Sequence, residues 1–254
     1  EFGVGEGGAH REVAVRGALD RAGVDATDVD YTVMGNMLSA GLGQTPARQA
    51  SIGAGIPETA SAMTVNKACA SGLASVILAA QAVQLGEAET VVAGGMENMS
   101  AAPHMLMNSR TGQKLGDAKL VDHMIHDGLW CPFENRHMGS SAEAIADKYE
   151  VSRTAQDEFA VRSHARATKA VEENVFEAEI VEVEVQQRRG DPVVVTRDEG
   201  PRLDSSIEQL ERLSPAFPPG ESVTAGNASQ ISDGAAAVVV MSAERAESTG
   251  VAPM

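Results

Sequence analysis

Cys69 stands in Asn66-Lys67-Ala68-Cys69-Ala70-Ser71-Gly72, a cysteine among small residues. Before it, Ala62-Met63-Thr64-Val65 reads as a short buried strand; after it, an apolar run from Leu73 to Leu85 reads as a helix inside the protein that Gly86 ends. This order puts the thiol at a helix start. There the positive end of the helix dipole and the first-turn N–H groups favour the thiolate, which is the nucleophilic form. Ala68, Ala70 and Gly72 leave room for a substrate carbonyl to approach sulfur, and the Cys69 N–H is placed to hold the oxyanion that results. Free cysteine is also a small, usually buried hydrophobe, so an inert thiol in the core stands beside the nucleophile as a reading of the same residues.

A cysteine nucleophile usually works with a histidine base. His10, His123, His126 and His164 fit solvated or capping roles, whereas His104, in Pro103-His104-Met105, and His137, in Arg136-His137-Met138-Gly139, sit in loop-like contexts better suited to chemistry. No Cys/His spacing suggests a metal site, and Gly94-Gly95 lacks the third glycine of a dinucleotide fingerprint. From Val223 to Ala235 small and polar residues run directly into an apolar strand. Close approach of backbone to a ligand explains such a run, and so does a tight structural crossing. Met96, Met99, Met105, Met107 and Met124 fit either a pliable acyl-binding surface or gap filling in a core.

The elements that must position these residues alternate. Arg11–Ala22 reads as a helix after a loose opening of ten residues, Tyr31–Met37 as a strand, and Ala47–Gly53 as a helix after the Gly41–Pro46 loop. Thr90–Ala93 reads as a strand stopping at Gly94-Gly95. Such alternation is the pattern of a layered α/β domain. Periodicity fades between Ser100 and Asp127. Ser140 and Glu143 form a capping box that starts a helix, and Ser152 caps another running to about Asn174, with Asp157 and Glu158 in the early turns that the dipole prefers. Val181–Val185 and Val193–Val195 read as strands of a hairpin turning at Arg188–Asp191. The Pro-rich Ser214–Gly220 marks a boundary, Ala235–Met241 a buried strand, and Glu244 opens a last helix.

At 254 residues and 43% hydrophobic content the chain can bury a sizeable core. Its apolar stretches are too short for a membrane span and no basic-then-apolar leader opens it, so a cytoplasmic protein with no membrane partner is expected. Two cysteines do not make a disulfide framework. Lys and Arg total 20 against 36 acids, a net charge of −16, which argues against nucleic acid and requires any anionic substrate to find a local basic patch.

Around Cys69 the sequence resembles the thiolase family, the acetyl-CoA C-acyltransferases, and the likeness runs along almost the whole chain. Five segments carry it in family order: Gly41–Ala50, Asn66–Gly72, Val92–Ser100, His137-Met138-Gly139 and Thr224–Ala237. The resemblance implies an α/β fold, the first half of a five-layered αβαβα core built from residues 1–101 and 232–254. An inserted α/β loop domain at 102–231 would carry coenzyme A and tetramer contacts, with Arg110–Asp117 as the tetramer-forming loop. It makes Cys69 the thiolate that accepts the acyl group. Leu129, His137, Met138, Ala225 and Ser229 match positions lining the pantetheine channel, and Arg202 matches a residue beside the nucleotide end of coenzyme A, the local positive charge that the acidic balance calls for. It further implies ping-pong acyl transfer between CoA thioesters within fatty acid metabolism, a homodimer or homotetramer, and acyl-CoA and CoA as substrates with no redox cofactor or metal.

The family's second core half supplies an Asn-Glu loop, a Gly-His-Pro histidine and a Cys-Gly-Gly cysteine, none of which occurs in this sequence; Cys131, followed by Pro132 and Phe133, does not match the last. The opening strand and its Arg-Thr-Pro turn are missing too, so the chain is expected to be clipped at both ends. Two other readings follow: a non-catalytic CoA-binding or assembly fragment needing a separate chain to complete the site, and a ketoacyl-synthase-like enzyme that would use carrier-protein substrates and paired histidines. The Thr224–Ala237 segment favours the thiolase pattern over the latter.

Overall fold

The computed structural model describes residues 9–187 and 190–253; most of the expected loose opening and Arg188-Arg189 of the expected turn lie outside the described residues. The chain begins with α1 (Ala9–Ala22), β1 (Tyr31–Gly35), α2 (Pro46–Gly53), β2 (Ser61–Val65), α3 (Ser71–Gln84) and β3 (Thr90–Asn98). Short strands β4 (His104–Leu106) and β5 (Leu120–Asp122) pair antiparallel within the stretch where periodicity fades. Next come β6 (Trp130–Cys131), β7 (Arg136–His137), α4 (Met138–Lys148) and α5 (Arg153–Glu172). The hairpin β8 (Val183–Val185) and β9 (Val193–Val195), the single turn α6 (Ile207–Leu210), β10 (Asp233–Met241) and α7 (Ala243–Thr249) complete it.

Two compact units emerge. One takes the residues up to Met124, Val181–Val195 and those from Asp233 onward; the other takes Ile125–Ile180 and Thr196–Ser232. The first is built on a four-stranded sheet in the order β10-β3-β1-β2, with β1 parallel to β2 and β3 and β10 antiparallel to β3. Strand side chains alternate between faces, so Met34, Val92, Met96 and Val239 meet α1 and α2 through Val15, Leu19, Ala47 and Ala50. Val33, Val91, Ala93 and Val238 meet α3 through Ala79 and Ala82 on the other face. The result is a helix–sheet–helix α/β layering, as the alternation implied.

Three expectations need correction. β3 does not stop at Gly94-Gly95 but runs to Asn98, because β10 pairs with it residue for residue from Thr90↔Met241 to Asn98↔Asp233. Both glycines are needed there: a Cβ on Gly94 would lie 2.1 Å from the Ala236 carbonyl oxygen. The helix after Cys69 is not enclosed, since Leu73 and Ile77 on α3 and Leu85 just after it are exposed. And the Ser140–Glu143 capping box does not form. α4 starts three residues earlier, capped by the His137 ring, whose Nδ1 accepts from the Gly139 N–H at 3.0 Å.

In the second unit the buried residues are as often polar as apolar among those described. Ala146, Leu210 and Val223 are joined by Glu143, Asp157, Thr168 and Thr224. Hydrogen bonds, more than a broad apolar core, hold its loop to its helices.

Candidate active site

Two parallel strands end in step beside a third that runs on. The register aligns Gly35 of β1 with Val65 of β2 and Gly95 of β3, so Asn36 and Asn66, just beyond the carboxyl ends of β1 and β2, stand level with Met96-Glu97 near the end of β3. In open α/β sheets that rim is where ligands bind. Cys69 sits there, exposed, in the turn between β2 and α3. The alternative of a thiol buried in the core therefore does not hold.

The turn is pinned from within. Asn66 Oδ1 accepts the Ala68 N–H at 3.0 Å, Ser71 Oγ accepts the Lys67 N–H at 2.8 Å, and the Ala68 carbonyl accepts from both the Ser71 hydroxyl, at 2.5 Å, and the Ser71 N–H, at 3.1 Å. Ala68 has φ of +50°, in the left-handed region, where an L-residue with a Cβ carries strain. The hydrogen bonds around it hold that conformation directly before the cysteine. No side chain caps α3, whose N-cap is Ala70. Among the described residues the Cys69 thiol makes no hydrogen bond.

Close packing fixes the start of α3 against the sheet. A Cβ on Gly35 would lie 2.5 Å from the Ser71 carbonyl carbon, and one on Gly95 3.2 Å from the Gly72 Cα. Ser75, fully buried, bonds the Gly94 carbonyl at 2.6 Å and receives the Gly94 N–H at 3.0 Å. Beside this seam Glu97 gathers the rim: its carboxylate accepts from Met37 N–H at 3.0 Å, Leu38 N–H at 3.2 Å and Asn36 Nδ2 at 3.1 Å. Asn66 Nδ2 reaches the Met37 carbonyl at 3.4 Å, which links that web to the cysteine turn.

The other expected site residues lie in the second unit. Leu129, half-buried, ends a π-helical turn over Met124–Leu129. His137 lies at the mouth of α4 with its ring stacked on Phe217, centroids 4.8 Å apart, and Met138 follows it with 40% exposure. A Cβ on Gly139 would fall 2.2 Å from that phenyl ring, so only glycine admits the stack. Arg202 is exposed, its N–H held by His164 Nδ1 at 3.2 Å, and its guanidinium makes no ion pair among the described residues. Ala225 and Ser229 are exposed on the loop that follows buried Val223 and Thr224. His104, the other loop-like histidine, is exposed on β4 of the first unit.

Sequence reasoning missed what holds that loop. Glu143, expected to cap a helix, instead turns its buried carboxylate to the Ser222 N–H at 3.0 Å, the Ser222 hydroxyl at 2.5 Å and the Val223 N–H at 2.7 Å. Burial pushes its carboxyl up, but the Ser222 hydroxyl and the N–H groups of Val223, Ser222 and Glu221 outweigh that and hold it below the ordinary glutamate value. Asp157, expected only as an acid in the early turns that the helix dipole prefers, is 1% exposed and paired with Arg153 Nε at 2.7 Å. Phe217 was legible only as part of a Pro-rich boundary. Among the described residues no group of three His, Cys, Asp or Glu is placed to hold a metal ion, and no helix is long and apolar enough to cross a membrane.

With the geometry in place, comparison with known proteins is direct. The family model described as "Thiolase, N-terminal domain" matches residues 11–244. An acetyl-CoA acetyltransferase of Cupriavidus necator is 52% identical over 242 residues, covering 95% of this chain and 62% of the relative. One of Pseudomonas aeruginosa is 50% identical over 237 residues, covering 93% and 60%. The crystal structure of the Bacillus anthracis acetyl-CoA acetyltransferase superposes with a TM-score of 0.92 at 39% identity, covering 98% of this chain and 64% of that one. The chain thus spans about three fifths of the length of these relatives.

Proposed function

The chain belongs to the thiolase family, matching its N-terminal domain over residues 11–244, and from that premise we propose that it is the nucleophile-bearing part of an acyltransferase acting on CoA thioesters. The Cys69 sulfur attacks the thioester carbonyl of an acyl-CoA and the carbonyl electrons move to oxygen, where N–H donors stabilise them. As the carbonyl re-forms, the bond to the CoA sulfur breaks and CoA leaves as a thiolate that takes up a proton; from a 3-ketoacyl-CoA the sulfur adds instead to the 3-keto carbon and the C2–C3 bond breaks, so that acetyl-CoA leaves as a carbanion that takes up a proton. The acyl group, now a thioester of Cys69, passes to a second substrate, either the thiol of free CoA or the carbanion of acetyl-CoA. Such chemistry asks for acid, base and oxyanion donors, and no metal or redox cofactor is expected.

The observation that carries this reading is the exposed Cys69 in a strained, hydrogen-bonded turn of small residues directly before α3. Supporting it in the second unit are the His137–Phe217 stack, the exposed Met138, Ala225 and Ser229, half-buried Leu129 and the guanidinium of Arg202, which makes no ion pair among the described residues, taken as contacts for the pantetheine arm and the nucleotide of CoA. Residues 102–231 are read as the inserted loop domain. Exposed Leu115, within Arg110–Asp117, supports a tetramer contact there, and a cytoplasmic homodimer or homotetramer in fatty acid metabolism is the setting proposed.

A second reading, a CoA-binding or assembly fragment completed by another chain, draws on the Cys69 thiol making no hydrogen bond among the described residues. Intact mass after brief exposure to acetyl-CoA or acetoacetyl-CoA separates the two. An acetyl adduct absent from Cys69→Ser is the expected result; an unmodified chain would leave the second reading.

A further inference from the structure

Glu143 and Asp157 are buried acids for which acyl transfer itself has no use. Both are tied to one loop. From α4, Glu143 takes the Ser222 N–H at 3.0 and 3.1 Å with its two oxygens, the Ser222 hydroxyl at 2.5 Å and the Val223 N–H at 2.7 Å. From α5, Asp157 accepts from Asn227 Nδ2 at 2.9 Å. The same amide nitrogen donates to the Ser222 carbonyl at 2.9 Å, and Asn227 Oδ1 accepts the Thr224 N–H at 2.8 Å. Arg153 neutralises Asp157 and continues to the Leu210 carbonyl at 2.6 Å. The anchored residues 222, 223, 224 and 227 bracket exposed Ala225 and lead directly to exposed Ser229. A loop fastened at both ends to two helices meets its ordering cost on folding, so binding does not have to.

We infer that Glu143 and Asp157 are positioning residues for the coenzyme A contacts of Ala225 and Ser229, an inference that rests on the reading of those two residues proposed above. A carboxylate suits the task because it only accepts, and every group it meets from Ser222 and Val223 is a donor. Glutamine keeps the shape but turns one oxygen into a donor facing those donors.

Calorimetric titration of the full chain with CoA tests it. Glu143→Gln is expected to bind CoA about tenfold more weakly, about 1.4 kcal/mol, and Asp157→Asn to move in the same direction. Ser222→Ala, which removes only the hydroxyl donor, is expected to lose a few-fold, and the Glu143→Gln/Ser222→Ala pair to lose no more than Glu143→Gln alone, since both cut one contact. Adenosine 3′,5′-bisphosphate, the nucleotide end of CoA, supplies the readout that a merely structural role would not separate. Followed by ligand-observed NMR, its affinity should stay within about twofold of wild type, because Arg202 lies outside the anchored loop. Parallel loss of both ligands would mean collapse of the unit and overturn the inference. Wild-type affinity in Glu143→Gln would overturn it while leaving the proposed function standing, and if that variant does not fold, unchanged affinity in Ser222→Ala does the same. Failure of the wild-type chain to bind CoA would sink both.

Discussion

Replacing Gly35 by alanine tests whether the sheet positions the nucleophile through contact with the start of α3. The new Cβ would lie 2.5 Å from the Ser71 carbonyl carbon, 2.6 Å from the Gly72 nitrogen and 2.8 Å from the Ser71 Cβ. Two of these three atoms are backbone, so no side-chain rotation relieves the clash. Ordinary contact begins at 3.4 Å, so the first turn of α3 must withdraw from β1 by roughly 0.9 Å. Overpacking of this kind costs about 1–3 kcal/mol, and the reduced freedom of the unfolded chain returns about 0.4–1 kcal/mol. A net loss of about 1–2 kcal/mol is expected, read as a lower denaturant midpoint at constant slope. Because Ser71 also holds the Ala68 carbonyl, the same shift moves the Cys69 turn, and the acetyl adduct should form at least about tenfold more slowly. The neighbouring glycines set the scale. Gly95→Ala meets Gly72 Cα at 3.2 Å and should cost less, while Gly72→Ala finds its nearest atom at 3.7 Å and should be neutral or stabilising. A Gly35→Ala chain with the wild-type midpoint, or a Gly72→Ala chain as damaged as Gly35→Ala, would refute the reasoning.

Two other outcomes follow from the same structure. Glu97→Gln brings an amide donor against the Met37, Leu38 and Asn36 donors that Glu97 now accepts, and should cost about 1–3 kcal/mol in denaturant unfolding; an unchanged midpoint would mean the rim does not depend on that carboxylate. Glu143 has its folded value held below the ordinary 4.5, so its contribution is complete above 4.5 and is lost as pH falls through the folded value. The stability gap between wild type and Glu143→Gln should therefore stay constant from about pH 7 to 5 and narrow in more acid solution, and a gap that widens there would reverse the sign of the linkage.

Much of this was legible in the sequence, for a physical reason. Strand alternation and helix punctuation are local properties, so Tyr31–Gly35, Ser61–Val65 and Ser71–Gln84 lie close to where their residues predict them. The Cys69 turn was legible because small residues, a cysteine and a following apolar helix are contiguous. What failed was long-range. Gly94-Gly95 looks like an end until β10, more than a hundred residues later, pairs across it. Ser140 and Glu143 have capping spacing, yet Ser222 and Val223 offer Glu143 three donors where a helix start would offer one, and His137 has already taken the cap. Phe217 acquires its role from a ring eighty residues earlier.

The same difficulty explains how the acidic residues are used. With 36 acids the chain reads as a charged surface, but several of them are not surface charge in function. A carboxylate offers about four acceptor sites and no donor, so it suits backbone whose N–H groups face away from any ladder. Asp30 accepts the Glu89 and Thr90 N–H groups, Asp233 that of Ser100, Glu97 those of Met37 and Leu38, and Glu143 those of Ser222 and Val223. The N–H groups they take lie at or beyond the ends of regular elements, those of Met37 and Leu38 beside the nucleophile turn and those of Ser222 and Val223 on the proposed coenzyme loop. Glutamine is nearly isosteric with glutamate but presents donors on one side, so at these positions it should fail where, on an exposed helix face, it would be tolerated. The acidic composition thus contains a structural minority that charge counting cannot separate from the rest, and the substitution that separates them is the one that preserves shape and turns one acceptor into a donor.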